Sequence, residues 1–127
     1  MRYRLVLVCL AVMAVGASAA QAQCMQAQKD ARAEGRLTVG RFSDAAGRPE
    51  TAYILRLSSN VCLDGAENED AVKGTRRIHV FSSNDAISQR MQRLLGRKIV
   101  VFGQPFGAHT AHHHAPIVMD VSEIGPR

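Results

Sequence analysis

The stretch "SNDAISQRMQRLLGRK", Ser83–Lys98, breaks the rhythm of the chain. Everywhere around it apolar residues alternate with polar ones. Here Ile87, Met91, Leu94 and Leu95 fall at i, i+4, i+7 and i+8, the spacing of one helical face. Asn84 or Asp85 stands where an N-cap belongs, and Gly96 where a left-handed residue ends a helix. Arg93, Arg97 and Lys98 lie near the negative end of the helix dipole, which accounts for them without a phosphate ligand. One amphipathic helix is therefore expected, and its neighbours decide what it plugs.

Three period-2 segments precede it. "RLTVGRFS" (Arg36–Ser43) places Leu37, Val39 and Arg41 on one face, with Gly40 marking a bulge or bend. "TAYILRLSS" (Thr51–Ser59) alternates Tyr53, Leu55 and Leu57 against Ala52, Ile54 and Arg56. "RRIHVFSS" (Arg76–Ser83) sets Ile78 and Val80 against His79 and Phe81. Two strands follow the helix, "KIVVFGQPF" (Lys98–Phe106) and "PIVMDVSEI" (Pro116–Ile124), the latter with Ile117, Met119 and Val121 on one side. The turn-rich "DAAGRPE" joins the first pair. "VCLDGAENEDAVKGT" reads as a solvated connection whose acids Asp64, Glu67, Glu69 and Asp70 lack the ligand spacing of a calcium loop. Three strands, a helix and two strands fit a mainly β fold, a small five-stranded OB-like Greek-key barrel with its helix between strands 3 and 4. A small open α+β sheet has the same order. In the barrel, the connection between strands 4 and 5 flanks the usual binding face.

The N-terminus reads differently. Arg2 and Arg4, the apolar run Leu5–Val15 and then small residues form the order of a secretory signal, too short to span a bilayer. Cleavage after Ala22 makes residues 1–22 the signal and 23–127 a single OB-like domain, periplasmic or secreted, with no stable membrane anchor. Taking Arg2 and Arg4 from the 16 basic residues leaves 14 against 11 acidic ones, a net charge of +3 rather than +5. Part of the apparent basicity thus belongs to the signal. Cys9 departs with it, and the remaining pair, Cys24 and Cys62, is expected to form one structural disulfide.

Four of the five histidines crowd the strand 4–5 connection, "GAHTAHHHAP" (Gly107–Pro116). In an extended segment His112 and His114 point to one side, and His109 across the turn makes a three-histidine set for Zn or Cu. No cysteine or nearby glutamate supplies a fourth ligand, and Asp120 is at most an outer partner. Two other readings stay open: imidazoles that satisfy the backbone of the loop, and a polar-ligand or pH-responsive surface. The candidate ligand-binding residues are His109, Thr110, His112, His113 and His114. No catalytic residue is assigned, because no nucleophile–base pair or G-x-S-x-G context exists. A metal-dependent hydrolase on the same histidines lacks a general base. Nucleic acid is an unexpected partner: the exported chain has no Trp, Tyr53 alone and four Phe for stacking.

"YILRLSSNVCL" and "GRKIVVFGQPFGAHTAHHHAPIVMDV" resemble an exported bacterial family, domain-of-unknown-function family 4431. Gly96, Val100, Gly103, Phe106, Ala108, Thr110, His113, His114, Pro116 and Val118 match its C-terminal pattern. Ala115 stands where the family has threonine, and Asn60 where proline is common. The resemblance implies an OB-like fold and an exported setting but no activity. The expected function is a non-enzymatic binding or envelope-accessory domain for a small ligand, a metal ion or an envelope protein. A periplasmic Zn or Cu protein is the alternative.

Overall fold

The computed structural model describes residues 24–65 and 71–127, with the isolated Gly16. The expected signal and cleavage site, and Glu67, Glu69 and Asp70, lie outside the described residues. The chain forms β1 (Met25–Gln26), β2 (Ala31–Ser43), β3 (Pro49–Asp64), β4 (Val72–Phe81), α1 (Asp85–Arg93), β5 (Lys98–Gly107) and β6 (Ile117–Pro126). β3 pairs antiparallel with β2 and with β4, β2 with β5, and β5 with β6. β6 then returns to lie parallel to β4. That last pairing closes the ring and excludes the open sheet. The result is the OB-like barrel, with α1 between its third and fourth strands.

The alternation that marked the strands fills the barrel. Leu37, Leu55, Ile78, Val80, Ile99, Val101, Ile117 and Met119 all point inward and are fully buried. α1 contributes Met91, with Leu94 just beyond its end and Ile87 at the margin of the same core. Asn84 is the N-cap, its side chain accepting from the backbone N–H groups of Ala86 and Ile87. Leu95, read as part of the apolar face, is 43% exposed. The helix ends at Arg93, and Gly96 (φ +83°) has already turned the chain away.

Cys24 and Cys62 are bonded, and the two residues of β1 pair parallel with Leu63 and Asp64. Closing this loop restricts the unfolded chain by about 4 kcal/mol on the chain-entropy account. Strand limits are wider than the sequence suggested. β2 starts five residues early, where Ala31–Gly35 pairs with β5 before the strand crosses to β3. Gly35 marks that crossing, since a Cβ there would sit 2.2 Å from the Arg56 carbonyl oxygen. β3 and β4 also extend into the segment read as a connection. Gly40 marks no bulge: its register with Ala52 is continuous, and its missing side chain makes room for the Phe42 ring.

Candidate imidazole site on the outer barrel wall

Residues between the inward ones face outward. On β2 they are Thr38, Gly40 and Phe42; on β3, Ile54, Ala52 and Glu50; on β4, His79; on β6, Val118. Register aligns Phe42 with Glu50, Thr38 with Ile54, Ile54 with His79, and His79 with Val118. This outer wall should be wet, yet Ile54 is 3% exposed and Val118 0%. The segment 108–116 causes the burial. It is pinched at its base by Ala108 N–H donating to the Pro116 carbonyl (3.0 Å) and folds back over the wall. Ala115 lands on Ala52 and Ile54, with Phe42 at their edge. Position 115 thus carries an apolar contact.

The β2–β3 turn builds the other rim. Asp44 accepts from the backbone N–H groups of Ala46 and Arg48 and from Arg48 Nε, while Gly47 takes φ +76°. This clamp delivers Glu50 to the mouth of the wall. There Glu50 Oε2 accepts from His112 Nδ1 at 2.7 Å, and Oε1 accepts from His114 Nε2. The two imidazoles hold the Glu50 carboxyl below its ordinary range, His114 contributing most and His112 next. His114 also stacks on Phe42, with ring centres 4.2 Å apart and planes 6° from parallel. Its side chain is 9% exposed, whereas that of His112 is 67% exposed.

Hydrogen-bond partners assign the remaining tautomers. His113 Nδ1 accepts from the backbone N–H groups of His109 (3.0 Å) and Thr110 (3.3 Å), so its proton belongs on Nε2. His79 Nδ1 accepts from His114 N–H at 3.2 Å and takes the same form. Both rings are held neutral. Burial lowers the His79 and His113 pKa values first, and neighbouring imidazoles lower them further; for His79 these are His114 and His113, with Glu50 opposing. His109 donates from Nδ1 to the Gly107 carbonyl (3.1 Å) and lies against Phe106 and His113. The division is chemical. His79 and His113 spend their lone pairs on backbone, while Nε2 of His109 and His112 and Nδ1 of His114 have no hydrogen-bond partner among the described residues.

The five residues singled out in the loop therefore separate. His112 and His114 meet on Glu50. His109 turns to the Phe106 side, and His113 braces the turn. Thr110 accepts from His112 N–H at 3.2 Å through its hydroxyl. Among the described residues no three His, Cys, Asp or Glu side chains are arranged to hold a metal ion. Asp120 serves elsewhere, accepting from the backbone N–H and hydroxyl of Ser83 near the start of α1. Sequence reasoning missed Glu50 and Phe42, which lie more than 60 residues from their loop partners and carry no local motif.

Residues 77–125 match the model of the family described as "Domain of unknown function (DUF4431)". This is the family that the C-terminal pattern resembles. No curated protein matches the chain. A solved structure, that of a small single-stranded DNA-binding protein from Streptomyces coelicolor, is similar at 17% identity and a TM-score of 0.43, covering 79% of this chain and 94% of that one.

Proposed function

We propose that this chain is a non-enzymatic binding module of the bacterial cell envelope, taking a polar ligand at the imidazole face. One observation carries the reading: Glu50 gathers His112 and His114 at the rim that flanks binding faces in this fold, with the His112 side chain 67% exposed beside the buried His114. Neutral imidazoles so placed accept hydrogen bonds from a ligand's N–H or O–H groups. The Cys24–Cys62 bond and the basic–apolar–small N-terminus support export. A nucleic-acid ligand is disfavoured: the loop covers the wall on which bases would stack, and Phe42 is spent on His114.

The lone-pair count favours a second reading. His109, His112 and His114 are the three loop imidazoles whose neutral forms have a lone pair not committed to the protein among the described residues, and Zn or Cu takes such nitrogens. From their present positions His109 would have to leave Phe106 to join the other two. Calorimetric titration of zinc and copper into the untagged 23–127 domain separates the readings, repeated with His109→Ala and with His112→Ala. No saturable heat leaves the polar-ligand module. One-to-one binding weakened at least tenfold by either substitution establishes a metal protein. Turnover of ester or phosphoester substrates on top of that binding would make it a hydrolase, and the module reading would fall.

A further inference from the structure

The other end of the same wall carries a pattern visible only in register. Arg77 on β4 stands opposite Arg56 on β3, Arg56 opposite Arg36 on β2, and Arg36 opposite Lys98 on β5. Directly opposed residues share a face, and the inward neighbours Ile78, Leu55, Leu37 and Ile99 put all four cations outside. Four adjacent strands at about 4.8 Å spacing make a cationic row about 15 Å long. All four residues are exposed. Among the described residues none of the four has a carboxylate within 4.0 Å; the nearby Glu34 is already bonded to Arg32 (2.8 Å) and Arg127 (3.2 Å).

Like charges directly opposite one another destabilise a sheet, so three such pairs in one row weigh against the fold unless something anionic lies across them. The surroundings suit an anion. Arg36, Arg56, Ser58, Lys98 and Arg127 line an open cleft of about 170 Å³. Arg36 is fixed in place by donating to the Gly96 carbonyl at 2.6 Å, leaving its other N–H groups to the cleft. Beside the row β3 bulges: between the pairs Arg56–Arg77 and Val61–Thr75, four residues face one. That excess carries Ser58, Ser59 and Asn60, exposed polar donors at the edge of the cations.

We propose that the Arg77–Arg56–Arg36–Lys98 row is a binding site for phosphate groups, separate from the imidazole face. Guanidinium forks match phosphate oxygens two at a time, and Lys98 adds a point charge. Linked phosphates, as in a soluble phosphoester, reach neighbouring cations of the row, and phosphates on lipid headgroups can occupy its whole length.

The test uses the untagged 23–127 domain at low salt, with inorganic pyrophosphate by calorimetry and sedimentation with phosphatidylglycerol–phosphatidylcholine vesicles. Saturable pyrophosphate binding is expected, weakened at least tenfold in Arg56→Gln/Arg77→Gln and about threefold in Lys98→Gln. A control of equal charge, Lys29→Gln/Lys73→Gln, should change it less than twofold. Sedimentation with anionic vesicles but no pyrophosphate binding also supports the site, with headgroups as the source. Thermal melts check that the variants fold, and removing opposed charges should leave them no less stable. Failure to bind either probe overturns the proposal, as does an equal loss in the control. Tenfold tighter binding of a single-stranded oligonucleotide through the same arginines would overturn it in favour of a nucleic-acid backbone.

Discussion

His114 and His112 flank one residue and share one carboxylate, yet their removal should have different consequences. Truncating an enclosed aromatic ring to alanine costs about 3–5 kcal/mol. His114 is enclosed by Phe42 and His79 but has no barrel core beneath it. About half that cost, ~2 kcal/mol, is expected for His114→Ala, of which the stack on Phe42 supplies about 1. For a domain near 100 residues this lowers Tm by roughly 10 °C. His112, with its side chain 67% exposed, should lose less than about 0.5 kcal/mol on truncation. His114→Phe keeps the ring over Phe42 and should recover most of the loss. Differential scanning calorimetry at pH 7.5 measures all three. Equal destabilisation by His112→Ala and His114→Ala, or a loss below about 1 kcal/mol at His114, would refute the assignment of His114 to architecture.

Acid should loosen the loop. His79 and His113 have lowered pKa values in the fold, so the unfolded chain binds their protons first, and the stability they contribute is complete above about pH 6.5 and lost as pH falls below it. Urea unfolding at pH 7.5 and 5.5 should show a decline that shrinks in His113→Asn, whose amide oxygen still accepts from the turn; a decline of equal size in the variant would be the contrary result. Gly40→Ala tests the stack from below. A Cβ there would lie 2.5 Å from the Phe42 ring, and that ring cannot shift without dislodging His114. A loss of about 1–2 kcal/mol with displaced His114 ring resonances is expected, and an unchanged spectrum would count against it.

The helix and its caps were readable because they are local: apolar spacing, Asn84 and Gly96 all act within a few residues of one another. The alternating strands were readable for the same reason, and their order was enough to suggest the barrel. The closing pair of β4 with β6 was not, since nothing in either strand specifies its partner. The early start of β2 also went unseen. Ala31–Gly35 is poor strand material alone and becomes strand through pairing with β5, where small residues suit the crossing to β3. Gly40 was misread because a glycine in a strand signals an unusual neighbour without saying whether that neighbour is backbone or, as here, an aromatic ring. The histidines announced a site by their density, but only long-range register could supply Glu50 and Phe42 or show which imidazoles had lone pairs to spare.

The same register explains why one wall carries two chemistries. Outward positions recur every second residue, so β3 presents Glu50, Ala52, Ile54 and Arg56 in line. Glu50 and Arg56 stand about 20 Å apart at 3.3 Å per residue. Between them Ala52 and Ile54 lie under the loop, with Ala115 filling the space. A single small ligand therefore cannot touch both ends while the loop is closed. Acid weakens the backbone bonds of His79 and His113, which hold that loop, and leaves the arginine row unchanged. If the two ends serve one extended ligand, phosphate affinity at the row should be the same at pH 7.5 and 5.5, while the length of ligand protected on the wall should grow as the loop lifts.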